Sequence, residues 1–455
     1  MEELNSEKLL EIGKRAVEKA LRLGASEAEA FLCMGYTNSV GIELAQISGC
    51  MSRWEQGIGL RVVCNKAVGF AYTTLLEEKA IDETVERALK FARANKPDQN
   101  WPGFPSSTNF PEVKDVYDRK IVELSSEELI SSASEMLENA LSYDKRVLPI
   151  DGRVQVSTLY NVLVNSNGVE AVDEGTAAGC YLVTIAREAG EVTPVCFEYD
   201  IERVWNIRPG QVGKEAAKMA VSSLKAKKIG NAKMAVILNE VALESLLYYT
   251  LISAVKADAV QREQSALKGK IGQKVASEIL TIYDDGTLSG GLNSAKFDGE
   301  GTPMQKTLII EKGVLRNFLY DRYTAKKDGV ESTGNSVREG TDAYMKTPTL
   351  EATNFMIYPG DASKDELIEE IKDGLLVYGV QGAHSSNPAT GEFSVVATPA
   401  WKIENGQIAY PVKGVMITGD IYELLGNISA IGKETRKIER IVAPWIRADN
   451  VNVVS

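Results

Sequence analysis

The sequence predicts an α+β protein, with an N-terminal helix–strands–helix region, a strand-rich middle region and a large C-terminal domain dominated by antiparallel sheets. Segments with a helical apolar period occur, but they never alternate regularly with strands, which argues against a doubly wound parallel sheet. Short β-rich runs separated by glycine and Asn-Gly turn signals crowd the C-terminal half. At 455 residues the chain exceeds one ordinary core, and 44% apolar with 25% charged residues is a soluble globular composition. The expected division is 1–105, 106–228 and 229–455.

The elements follow in order. Residues 6–23 put Leu9, Leu10, Ile12, Ala16, Val17, Ala20 and Leu21 on one helical stripe, ended by Gly24. The period then changes, and residues 31–72 carry β-rich runs such as Gly57-Ile-Gly-Leu-Arg-Val-Val before a second amphipathic helix over 77–94. The Pro-, Ser- and Asn-rich stretch 96–111 reads as a linker. Ser125 and Glu128 have capping-box spacing, which starts a helix there. Strands are expected at 153–165, 177–187 and 193–199, with Asn167-Gly168 as a hairpin turn, and a helix at 212–225. Further helices fall at 241–255, at 363–374 and near Leu424. Two strand–turn–strand units turn at Lys312-Gly313 and Asn405-Gly406.

Composition removes several functions. A net charge of −12 argues against nucleic-acid binding through a broad basic face, and the densest basic cluster, Lys225, Lys227 and Lys228, reads as the solvated end of a helix. The five scattered cysteines, without C-x-x-C spacing, read as reduced, buried thiols of a cytoplasmic protein. The acidic start is unlike a signal peptide, and the most apolar stretch, 235–255, is interrupted by Asn239, Glu240 and Glu244, so no membrane span is expected. One histidine, His384, serves the whole chain, so a two-histidine metal site cannot form within it. Neither a P-loop nor a G-x-S-x-G elbow is present.

Three places hold candidate chemistry. Asp284, Asp285, Asp298 and Glu300 lie among glycines, where carboxylates either bind a hard cation or simply make Asp-Gly turns. His384 sits in a Gly- and Ser/Thr-rich loop through Ser385, Ser386, Asn387 and Phe393, a candidate ligand-contacting loop or an ordered turn. Glu240 opens an apolar helix directly after a strand, where a carboxylate ordinarily serves the helix dipole.

Four phrases in order, Phe297-Asp-Gly-Glu-Gly-Thr-Pro, Ser332-Thr-Gly-Asn-Ser-Val-Arg, Asn387-Pro-Ala-Thr-Gly-Glu-Phe-Ser and Glu404-Asn-Gly-Gln-Ile-Ala-Tyr-Pro-Val, resemble the TldD/PmbA family of metallopeptidases, also described as modulators of DNA gyrase. The resemblance covers most of the chain and is strongest from about residue 235. TldD-type members carry an H-E-x-x-x-H helix and a later cysteine that hold the metal. At the matching junction this chain has Asn239, Glu240 and Glu244, and Ile431 falls at the cysteine position. Only the glutamate is kept, which places the chain in the PmbA (TldE) branch. An amide is a poor zinc ligand and isoleucine is none. Positions five apart on an ideal helix also differ by about 140° around its axis.

The resemblance implies a metal-free, non-catalytic subunit that pairs with a zinc-bearing TldD-type partner on unfolded or small peptides, or forms a homodimer in isolation. No cofactor is expected in this chain, and the loop from His384 to Phe393 is the expected peptide contact. Two rivals stand beside it. One is a self-sufficient metallopeptidase with its metal on the four carboxylates; the other is a non-enzymatic scaffold for gyrase or toxin–antitoxin partners.

Overall fold

The structure, a computed structural model, describes residues 6–106 and 109–455. The acidic start at 1–5, and Ser107 and Thr108 of the expected linker, lie outside the described residues. Helix α1 (Ser6–Arg22) precedes three antiparallel strands, β1 (Glu27–Glu43), β2 (Gln46–Cys64) and β3 (Ala67–Thr73). Helices α2 (Glu78–Ala94), α3 (Arg119–Glu123) and α4 (Ser126–Tyr143) follow, the last with the full Ser125/Glu128 capping box. Strands β4 (Val147–Asn165), β5 (Glu170–Glu188), β6 (Glu191–Val192) and β7 (Cys196–Glu202) then lead to α5 (Pro209–Ser222).

β1 pairs with β4 from Glu29↔Asn165 to Glu43↔Asp151, so the first two expected regions share one seven-stranded sheet in the order β3-β2-β1-β4-β5. The division near residue 105 therefore separates two sets of helices and not two sheets. A linker is conspicuous in sequence, whereas long-range strand pairing leaves no local mark.

Strand alternation assigns the two faces of this sheet. Even-numbered Leu32, Val40, Ile42, Val154, Val156 and Val162 pack under α1, α2, α4 and α5. Odd-numbered Phe31, Cys33, Leu163 and Ala171 pack against Phe297 and Tyr344 from the C-terminal region. Glycine permits the closest approach: a Cβ on Gly59 would lie 2.1 Å from the Tyr344 carbonyl oxygen.

The C-terminal region is built on a 13-stranded, largely antiparallel sheet whose centre is the long strand Ile441–Val454, paired with β8 (Ala232–Leu238). Strand Asp373–Val377 runs parallel to β8 on its other side. That pairing takes residues 373–377 into the sheet and shortens the helix expected over 363–374 to Lys364–Glu369; at Gly374 an added Cβ would meet the Ala235 carbonyl at 2.8 Å. Both expected turns occur, with Lys312 and Asn405 in the left-handed region. Three of the five free cysteines are buried, while Cys50 is exposed and Cys64 half-buried on the β1–β2–β3 ribbon, contrary to the expectation that all are buried. Among the described residues no helix is long and apolar enough to cross a membrane.

Candidate functional site

The strand-to-helix junction at the end of β8 sits on the seam between the two sheets. Asn239 follows the strand and caps α6 (Glu240–Leu247), its Oδ1 accepting from the Ala242 N–H at 3.0 Å. The helix continues into a π turn, Tyr248–Ile252, before Ser253–Val255, so the expected helix over 241–255 is interrupted where Thr250 Oγ1 donates to the Leu246 carbonyl (2.6 Å). Such bulges recur at functional sites.

Glu240 is buried. Trp445 Nε1 donates to its Oε2 at 2.8 Å, and Lys364 Nζ lies 3.5 Å from Oε1 while also standing 4.6 Å over the Trp445 ring. A second carboxylate in the same 310 Å³ cavity, Glu198 of β7, accepts from Tyr378 Oη (2.7 Å) and from Arg436. Burial, then Glu198, holds the Tyr378 phenol well above its usual range. Glu244, one turn along α6, opens into a neighbouring cavity of 570 Å³ lined by Tyr181, Phe197, Tyr199 and Glu439. Desolvation raises its carboxyl and Glu439 adds to the shift. Ile431 is buried in the C-terminal core.

The candidate loop packs beside the π turn, where the exposed His384 ring meets Tyr249 edge-on at 6.4 Å. Its other polar groups close the loop on itself: Ser385 Oγ donates to the Gly382 carbonyl (2.7 Å), and Asn387 Oδ1 accepts from the Ala389 N–H (3.0 Å). Ser386 Oγ is buried without a partner. Phe393 departs from the expectation. Strand alternation over Glu392–Ala397 turns it into the core, 5% exposed, so it cannot meet a peptide.

The four acidic residues among glycines are each engaged separately. Asp284 accepts from Asn335 Nδ2 (2.6 Å) and Thr353, Asp285 from Thr287, Asp298 from the Glu300, Thr302 and Ser336 N–H groups, and Glu300 from Arg61 and the Arg322 N–H. Among the described residues no three His, Cys, Asp or Glu side chains are grouped to hold a metal ion. These are turn and bracing carboxylates.

Three family descriptions match successive parts of the chain: PmbA/TldA metallopeptidase domain 1 at 28–92, the central domain at 119–224 and the C-terminal domain at 231–455. The chain belongs to the PmbA/TldD family. An uncharacterized protein of Methanocaldococcus jannaschii is 34% identical, covering 90% of this chain and 92% of its own length. A second protein of that organism, named a metalloprotease, is 27% identical with 92% of each chain covered. The crystal structure of TldE from Thermococcus kodakarensis superposes with a TM-score of 0.90 at 30% identity, covering 99% of both chains.

The groups that sequence reasoning missed at this junction are Glu198, Lys364, Tyr378, Arg436 and Trp445. They come from five segments of sequence and converge only through the seam between the sheets. A carboxylate, an aromatic or a lysine in a strand or short helix carries no local signal of such a meeting.

Proposed function

We propose that this chain is the non-catalytic TldE-type subunit of a cytoplasmic peptidase pair, acting on unfolded or small peptides with a zinc-bearing TldD-type partner. One observation carries the reading: at the junction where the family's metal would sit, Glu240 is held by Trp445 and Lys364. Zinc does not fit the residues present. Asn239 spends its oxygen on the helix cap, Ile431 has no lone pair to give, and the Lys364 ammonium already faces Glu240. Without a metal-polarised water, Glu240 has no nucleophile to activate.

The TldE neighbour supports the branch, and two relatives in one organism, one of them named a metalloprotease, support a two-chain arrangement. The seam cavities would then form part of a peptide chamber shared with the partner.

A fluorogenic unfolded-peptide assay on the chain, a TldD-type partner and their mixture tests this. The chain alone cleaves no faster than buffer, and the mixture turns over faster than the partner. Glu240→Gln leaves the mixture nearly unchanged, whereas loss of a catalytic general base lowers rates by about 10²–10⁴-fold. Metal-dependent cleavage by the chain alone, abolished by Glu240→Gln, refutes the proposal.

A further inference from the structure

A third cavity, of 420 Å³, lies further along the same seam between the odd-numbered face of β4 and β5 and the segments 292–299 and 336–340. Asn161 and Asp173 are directly opposed across these strands, so their side chains stand together on that face. Asp173 is 8% exposed, and its Oδ1 has no hydrogen-bond partner; neither has Asn161 Oδ1 beside it. From the facing wall Ser336, 1% exposed, contributes an Oγ that is also without a partner. Buried polar atoms are nearly always paired, so three orphans lining one cavity mark a place where a ligand supplies the partners.

Three arginines line the cavity and Lys296 adjoins it: Arg338 pairs with Glu29 and Arg440 with Glu339, while the Lys296 backbone N–H donates to the Asp173 carboxylate and leaves only its Oδ1 open. Arg203 donates to the carbonyls of Val116, Thr176, Gly291, Leu292 and Ser294, and Lys296 Nζ to that of Val172 (3.3 Å). Burial raises the Asp173 carboxyl above its usual range, with Lys296 and Arg203 only partly opposing it. Glu439 lines both this cavity and its neighbour, where Glu244 also opens; neither carboxylate is in an ion pair among the described residues.

We infer that this cavity binds a primary ammonium group, the α-amine or a lysine side chain of a peptide, with Asp173 as counter-ion and Asn161 and Ser336 as further acceptors. An ammonium offers three donors and no acceptor, the complement of two carbonyl-type oxygens and a hydroxyl. The identity of the carrier as a peptide rests on the function proposed above; the ammonium site itself does not.

Fluorescence anisotropy on the full chain, with one short unstructured peptide in four forms, tests the inference: α-amine free or acetylated, with or without a lysine. Charge-assisted hydrogen bonds predict that free-amine forms bind about 10- to 100-fold more tightly than the acetylated, lysine-free form. Comparing the two single-amine forms identifies the source. Asp173→Asn abolishes the discrimination without changing affinity for the blocked form, and Ser336→Ala, which leaves the sheet untouched, reduces it. Equal binding of all four forms, or discrimination that survives in Asp173→Asn, overturns the site. Should no peptide bind, n-butylammonium chloride serves as the probe. A rise in the thermal midpoint of the wild type but not of Asp173→Asn upholds the ammonium site, and equal behaviour of the two overturns it. The subunit reading fails separately, when the chain does not raise its partner's turnover.

Discussion

Glu29→Ala tests how the N-terminal sheet is joined to the C-terminal region. Glu29 is fully buried on β1 and accepts from Arg61 Nε (2.9 Å), Arg61 Nη2 (2.6 Å) and Arg338 Nη2 (2.5 Å), the last from beyond residue 300. Burial pulls Arg61 down, but Glu29 and Glu300 outweigh it and hold the guanidinium above its ordinary range. At Arg338 burial prevails over Glu29 and pulls the group to about 10, so it stays charged at neutral pH. Removing the shared carboxylate leaves Arg61 with Glu300 at 3.5 Å and Arg338 with the carbonyls of Gly299 and Lys346. Breaking a buried pair by deleting one partner destabilises by about 3–5 kcal/mol, a large share of the ~5–15 kcal/mol typical of folded proteins. The assay is urea unfolding followed by tryptophan fluorescence. Trp101 packs edge-on against Phe104, whose ring lies 5.2 Å from the Arg61 guanidinium, so it reports this corner directly. A loss below about 1 kcal/mol, the value of an exposed pair, refutes the reasoning.

Three further outcomes follow from particular contacts. Burial raises the Asp284 carboxyl from 3.8 to about 6 against the opposing hydrogen bonds of Asn335 and Thr353. The folded state therefore holds that proton more tightly than the unfolded chain. The associated stability is present below pH 3.8 and is lost as pH rises through about 6. On the order of 3 kcal/mol is at stake, at ~1.36 kcal/mol per tenfold change in proton affinity; denaturation midpoints compared with Asp284→Asn across this window measure it, and parallel pH profiles contradict it. Gly59→Ala, whose Cβ would meet the Tyr344 carbonyl, is destabilising by about 1–3 kcal/mol in thermal unfolding, whereas Gly49→Ala, with open space around it, is close to neutral. Elemental analysis of protein purified without chelator and dialysed finds substoichiometric zinc; near-equimolar, tightly held zinc contradicts the metal-free reading.

Local features of the fold were legible because their causes are local. The Ser125/Glu128 box and the turns at Asn167-Gly168 and Asn405-Gly406 each act within a few residues and stand where the pattern placed them, as does the stripe from Leu9 to Ala20, although Leu21 at its end is exposed. The sharing of one sheet between the first two regions was not legible, since β1 and β4 are joined through more than a hundred intervening residues. Phe393 departs from the expected loop for a related reason. A Gly- and Ser-rich run fixes a loop but not the residue at which strand alternation resumes, and here it resumes at Glu392, turning the next side chain inward.

One pairing at the seam follows from the hairpin's register. With Asn167 as the hairpin's centre, counting equally back and forward along β4 and β5 brings Asn161 opposite Asp173, the register the structure shows. Alternation then puts both on the face opposite Val162 and Val164, which pack under the helices. A half-buried amide and a buried carboxylate facing one another on this face form a polar pair in need of partners. The sequence pattern reaches that point. It cannot reach Ser336, nor Lys364 and Trp445 around Glu240, because those groups arrive from another sheet. The two polar sites differ in how that second sheet completes them. Around Glu240 it brings a cation and a donor, leaving a carboxylate already engaged; around Asp173 it brings the Lys296 N–H and one unpartnered hydroxyl, leaving Oδ1 of Asp173 and of Asn161 open.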